Sequence, residues 1–229
     1  MYAKTCGRNN LTNQKKGGFV MDEKPYRDLN TYYRNLFGGK TAKISLDGGF
    51  TCPNRDGTIG TGGCLFCSAG GSGDFAESAA LSIKEQIAKG KSQTSAKWEH
   101  PRYIAYFQAF TNTCAPVNTL RQKYEEALSQ PDIVGLSIAT RPDCLGEDVV
   151  ELLAELNGKT KLWVELGLQT AKETSAHFIR RGYDNAVFTD AVKRLAAHDI
   201  SVVAHVIVGL PGETEEDLLK TMDYINSLP

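Results

Sequence analysis

The sequence predicts an α/β fold on a parallel sheet, and three observations carry that expectation. Apolar strand-like runs begin near residues 102, 133, 162 and 201, and each is followed by an amphipathic helical stretch, the pattern of repeated βαβ units. The runs are nearly continuous in apolar residues, as expected when helices cover a sheet. At 229 residues the chain is long enough to bury the core such a fold requires. Five units of this kind make either an open doubly wound sheet or part of a (β/α) barrel, and periodicity alone does not separate them.

The elements follow in order. Residues 28–37 place Leu29, Tyr32, Tyr33, Leu36 and Phe37 on one helical face, stopped by Gly38-Gly39. AKISL at 42–46 reads as the first strand and leads into a glycine-rich loop. Ser82 with Glu85 is a capping-box match that opens a helix to about Lys97. Residues 102–109 read as the second strand, 118–129 as a helix and 133–139 as the third strand. A helix over 147–156 is stopped by Gly158, and LWVELGL at 162–168 is the fourth strand. Helical pieces near 172–180 and 185–198 precede the fifth strand, 201–208. A helix over 214–228 is capped by Thr214 with Asp217 three residues on. The fifth unit ends the chain, so the fold reads as cut short before a sixth.

Bulk properties exclude several classes. A formal net charge of −1 gives no global case for a nucleic-acid or membrane partner. No apolar run approaches the roughly 18 residues needed to span a bilayer. The first twenty residues hold Lys4, Arg8, Lys15 and Lys16 without an acid or a following apolar stretch, so they are not a signal peptide. They read as a basic, disordered extension (1–20) ahead of one domain (21–229), with a nucleic-acid arm as the alternative. Six cysteines are too sparse for a disulfide scaffold and point to a metal site in a reducing compartment, the cytoplasm.

Active groups in such folds gather at the C-terminal ends of the strands. Here those ends read Asp47-Gly-Gly, Gln108-Ala-Phe-Thr-Asn-Thr, Thr140-Arg-Pro-Asp, Gly167-Leu-Gln-Thr and Gly209-Leu-Pro-Gly-Glu. After the first of them runs LDGGFTCPNRDGTIGTGGCLFCS, with Cys52, Cys64 and Cys67 spaced C-x11-C-x2-C. Nine of the 22 glycines fall between Gly48 and Gly73, enough to let the loop fold back and bring Cys52 to the other two. A structural zinc site usually has four protein ligands, and no histidine lies near this loop. Three thiolates on an iron–sulfur cluster leave one iron open for a small molecule. A zinc site completed by a distant Cys114 or Cys144 stays open as the alternative. Three G-K-[ST] tripeptides, at 39–41, 90–92 and 158–160, lack the earlier glycine of a P-loop and are set aside.

The string CPNRDGTIGTGGCLFC at the end of the first strand resembles the cluster loop of radical S-adenosylmethionine (radical SAM) enzymes, though its spacing departs from the commonest C-x3-C-x2-C form. The likeness runs from Tyr26 to the end and is to a bacterial family related to the elongator catalytic subunit and to oxygen-independent coproporphyrinogen oxidases. It implies a partial (β/α)6 barrel, here cut short after the fifth unit. It also implies a [4Fe–4S] cluster on Cys52, Cys64 and Cys67, with S-adenosylmethionine as cosubstrate and reductive cleavage of that cosubstrate to a 5′-deoxyadenosyl radical. An electron donor such as flavodoxin or ferredoxin is implied too, and a tRNA base is one candidate substrate. A non-catalytic zinc- or nucleic-acid-binding module is the alternative.

The resemblance further implies roles at the strand ends. Phe66 would shield the cluster beside the adenine. Gln108 and Thr111 stand where the methionyl amine is held, although QAFTN replaces the usual Gly-Gly-Glu. Ser137, Thr140 and Arg141 stand where ribose and carboxylate are held, and an arginine fork suits a carboxylate. Glu165 and Gln169 match the fourth-strand motif, and Val208 and Gly209 the fifth-strand adenine motif. From the residues alone, His205 reads as a core histidine and Glu213 as a helix-starting charge. Arg180-Arg181 resembles the family's basic loop after strand four, which implies a pair available to an anionic substrate; a solvated charge pair is the alternative.

Overall fold

The computed structural model describes Tyr26, residues 28–95, Trp98 and residues 101–229. The basic stretch 1–20 and the helix end near Lys97 lie outside the described residues. The elements are α1 (Leu29–Phe37), β1 (Thr41–Leu46), α2 (Ile83–Ser95), β2 (Arg102–Phe107), α3 (Val117–Leu128), β3 (Ile133–Thr140), α4 (Glu147–Asn157), β4 (Lys161–Gln169), α5 (Glu173–Phe178), α6 (Asn185–Ala196), β5 (Ser201–Val206) and α7 (Glu215–Asn226). Local chemistry sets several of the ends. Asp28 accepts from the Thr31 N–H at the start of α1, and Gly38 closes it at φ 72. Thr214 and Asp217 cap α7 reciprocally.

Two strands stop short of the apolar run that announced them. Past Phe107 the chain turns away, and Phe110, at φ 59, donates its N–H to Gly71 O in the cysteine loop. Past Val206 only Ile207 still donates, to Gln169 O, before Gly209 turns the chain at φ 86. In both places apolar side chains continue after the ladder has ended.

All five strands are parallel and lie in the order β1-β2-β3-β4-β5. A doubly wound sheet would reverse its strand order at a switch point. Sequential order is that of a barrel wall, so the sheet is the arc of a (β/α) barrel. Alternation along each strand sorts its side chains. Ile44, Leu46, Phe107, Leu136, Ile138, Val164 and Leu166 face outward into one core with Leu120, Tyr124, Leu153, Leu156, Phe188 and Leu195 of the helices.

The inner face is layered. At its N-terminal end α1 presents Tyr33 against Ile104 and Trp163, with Leu29, Phe37 and Val203 packed around them. Trp163 takes Tyr33 and Phe37 edge-on, with ring centroids 5.7 and 6.2 Å away. Two residues further along the strands the inner face becomes polar, with Lys43, Tyr106, Ser137, Glu165 and His205, one from each strand. Beyond them come Gln108, Gly167 and Gln169 and the cysteine loop.

Candidate active site

The loop after β1 is held by backbone and side-chain hydrogen bonds in place of a ladder. Cys52 O accepts from Arg55 N and Asp56 N, Pro53 O from Ile59 N and Gly60 N, and Asn54 O from Gly63 N. A tight turn joins Cys67 N to Cys64 O at 3.2 Å. The Arg55 guanidinium ties the far side, donating to Cys67 O, Ser68 O and Ala69 O at 3.3, 2.6 and 3.2 Å. Gly63 lies at φ 70, and a Cβ there would stand 2.7 Å from Arg55 Nε, so the clasp requires a glycine.

This folding puts all three cysteines, half-buried, on one solvent-open cavity of about 780 Å³, counting the space at its mouth. The strand ends supply Gln108, Thr111, Thr140, Arg141, Glu165 and Gln169 to the same cavity, and the loop adds Phe66. Three predicted residues stand apart from its lining. Ser137 is fully buried beneath it, hydrogen-bonded to Glu165. Val208, 69% exposed, and Gly209 lie on the turn beyond β5.

The polar layer below the cavity is organised by Glu165, which is 4% exposed. Its carboxylate receives Lys43 Nζ, Ser137 Oγ and His205 Nε2, the last at 2.8 Å. Burial alone would push this carboxyl up, but the His205 hydrogen bond, the Lys43 charge and the Ser137 hydroxyl outweigh it and bring it down to about 2. Burial and the neighbouring Glu165 push the Tyr106 phenol up, so it stays protonated. Arg141 is buried. Burial disfavours its charge, yet the two-pronged pair with Asp143 at 2.9 and 2.7 Å keeps it a cation. At the cysteines, the Cys64 thiol donates to Cys67. That contact holds Cys64 protonated and lowers Cys67, assisted by Ser72 and the charges of Arg55 and Arg141.

Several sequence expectations change here. His205 is not a core histidine: its side chain is 44% exposed on the cavity wall and oriented by Glu165. Arg181 is 1% exposed and spends its donors on Leu168 O, Thr170 O and Tyr183 O, so it braces the chain after β4 and is closed to an anion. Arg180 alone of that pair is exposed. Glu213 accepts from Thr170 Oγ1 at 2.5 Å, while Thr214 starts α7. Cys114 and Cys144 are half-buried on neighbouring loops, which Thr113 Oγ1 fastens by a 2.7 Å bond to Cys144 O. The sequence reading missed Tyr106 and Tyr183 on the cavity wall. Tyr106 follows the inward alternation of β2, a signal that was available once Gln108 was placed inward.

Among the described residues, no group of three or more His, Cys, Asp or Glu side chains converges on a point suited to a single metal ion. A cluster spreads its thiolates over separate irons and needs no such convergence. Two observations fit one. Asn54 Nδ2 and Ser72 Oγ direct donors at the sulfurs of Cys64 and Cys67, at 3.3 and 3.6 Å. Gln108 Nε2, on the cavity wall, is buried and without a hydrogen-bond partner among the described residues, a polar group awaiting a ligand.

A sequence profile described as the radical SAM superfamily matches residues 55–225. The chain is 52% identical over 206 residues to the uncharacterised protein YtqA of Bacillus subtilis, covering 90% of this chain and 64% of that protein. It is 44% identical over 200 residues to YhcC of Escherichia coli K12, covering 83% and 63%. The chain therefore spans less than two thirds of the length of these relatives. A stretch of 99 residues, 42% of this chain and 22% of the relative, is 30% identical to a tRNA-2-methylthio-N(6)-dimethylallyladenosine synthase of Fusobacterium nucleatum. Among solved structures, the fold is similar to archaeal Elp3 of Methanocaldococcus infernus, with TM-score 0.56 and 16% identity over 80% of this chain and 41% of that one. It is also similar to coproporphyrinogen III oxidase HemN of Escherichia coli, with TM-score 0.51 and 12% identity over 84% and 43%. At those identities the likeness is one of fold.

Proposed function

Since the chain belongs to the radical SAM superfamily, we propose that Cys52, Cys64 and Cys67 hold a [4Fe–4S] cluster and that S-adenosylmethionine binds in the adjoining cavity. The observation that carries this reading is the meeting of those three half-buried cysteines with the C-terminal ends of the strands around one cavity. Such a cluster would supply one electron to S-adenosylmethionine, whose S–C5′ bond would break to methionine and a 5′-deoxyadenosyl radical able to take a substrate hydrogen.

The chain's own groups hold and orient. Gln108, whose buried Nε2 has no hydrogen-bond partner among the described residues, takes up the methionyl amine, rotating to offer its oxygen, and Thr111 stands beside it. Arg141 commits three of its five N–H donors to Asp143 and Arg181 O, so it meets the carboxylate with its charge and its remaining donors. Gln169 and Thr140 serve the ribose. Phe66 covers the cluster, and Gly209 with Val208 gives the adenine a backbone edge. Glu165, saturated by Lys43, Ser137 and His205, acts as the anchor beneath the site and Ser137 as part of that anchor. The work is in a reducing cytoplasm with a flavodoxin- or ferredoxin-like donor. The partial likeness to a tRNA-modifying synthase supports a tRNA base as substrate.

The test is anaerobic reconstitution with iron and sulfide, then S-adenosylmethionine and dithionite, with and without total tRNA. The expected result is 5′-deoxyadenosine, with its yield raised by tRNA. A C52A/C64A/C67A variant that still makes it would overturn the assignment of the cysteines. One tightly held zinc and no iron would favour the rival reading of a non-catalytic zinc- or nucleic-acid-binding module.

A further inference from the structure

Asn54 makes the most constrained of the contacts to the cysteine sulfurs. Its Nδ2 lies 3.3 Å from Cys64 Sγ and 2.7 Å from the carbonyl oxygen of Arg180. A carbonyl only accepts, so it fixes the orientation of the amide. Turned over, Asn54 Oδ1 would oppose that oxygen, acceptor against acceptor. One Nδ2 hydrogen is therefore taken by Arg180 O, and the other is directed at the sulfur.

The side chain is also boxed in. Asn54 is buried, its own carbonyl is engaged by Gly63 N–H at 2.7 Å, and a Cβ on Gly60 would stand 2.7 Å from its Oδ1. Arg180 presents its carbonyl from φ 56, the left-handed region that a residue with a side chain enters only at a cost. The strain sits where the backbone meets Asn54. The Ser72 hydroxyl, by contrast, is exposed and reaches Cys67 Sγ only at 3.6 Å.

We propose that Asn54 is a positioning residue that raises the reduction potential of the cluster through its N–H···S bond to Cys64. Reduction adds a negative charge that is shared with the thiolate sulfurs, so a fixed donor at one sulfur favours the reduced form. The inference deepens the three-cysteine reading and rests on it.

The test is redox titration of the reconstituted cluster, followed by EPR, in the wild-type chain and in Asn54→Ala and Ser72→Ala. For Asn54→Ala the ratio of reduced to oxidised cluster at fixed potential falls about tenfold, a drop of about 59 mV for a one-electron couple. Ser72→Ala shifts it by less. An Asn54→Ala cluster that titrates at the wild-type potential overturns the proposal. Should that variant fail to keep a cluster, pulsed EPR on the wild-type chain carrying amide-15N asparagine decides. Coupling of 15N to the reduced cluster supports the bond to sulfur, and its absence overturns the proposal. A wild-type chain that takes up no cluster at all fails one step earlier, and overturns the underlying reading together with this one.

Discussion

The two ends of the barrel's inner face are held together in different ways. The N-terminal end is closed by aromatic packing of α1 on Trp163, with apolar side chains filling the space. The C-terminal end is an irregular loop held by single hydrogen bonds, such as those of Arg55 to three carbonyls. Between them lies a polar layer in which Glu165 pairs with Lys43, Ser137 and His205. Packing that cannot relax carries stability, whereas a loop fastened at a few points leaves its sulfurs and amides free to meet ligands. Barrel enzymes divide these tasks between the same two ends.

Substitutions at the two ends should separate the tasks, and the largest effect is expected at the closed one. Trp163→Ala removes the centre of the plug and should cost about 3–5 kcal/mol in denaturant unfolding. Iron bound per folded chain should stay at the wild-type level, and a loss of iron in proportion would erase the contrast.

Next is the layer between. Glu165→Gln leaves Lys43 without its buried counter-charge and should cost about 3 kcal/mol. Because the Glu165 carboxyl is lowered to about 2 from an ordinary 4.5, its contribution is fully present above about pH 4.5 and is lost as the pH falls towards 2. Unfolding curves of wild type and variant should therefore converge below pH 4.5. A gap that is constant from pH 7 to 3 would contradict the charge assignment.

Arg55→Ala at the open end should cost about 1 kcal/mol in stability, yet lower cluster retention severalfold. Cys52→Ala should be smallest in stability, within about 0.5 kcal/mol for the metal-free chain, and total in its effect on the cluster. Iron and sulfide analysis beside unfolding curves checks both.

The outer face of the fold was legible because its apolar periodicity and caps are local signals. The Ser82–Glu85 pair caps as its spacing implied, with Ser82 N donating to Glu85 Oε2 at 2.8 Å. The choice between barrel and doubly wound sheet was not legible in the periodicity, since strand order depends on contacts far apart in sequence, and it came from the family resemblance of the cysteine string. The meeting of the three cysteines was legible from composition, because so many glycines let the loop fold back on itself. The inner polar layer was hidden. His205 sits in an apolar run, and only the pairing of β5 on β4 brings it beside Glu165, forty residues earlier. Arg181 was misread for the same reason, because an arginine consumed by backbone carbonyls has no local mark. Val208 prolonged an apolar run past the last ladder bond, and its exposure shows how far the pattern outlives the strand.

Mössbauer spectroscopy of the 57Fe-reconstituted chain, with and without S-adenosylmethionine, tests most directly whether three cysteines leave one iron open. The account expects a [4Fe–4S] spectrum in which adding S-adenosylmethionine sets roughly one iron in four apart from the rest. A spectrum unchanged by S-adenosylmethionine, or a chain that takes up no iron, would contradict it.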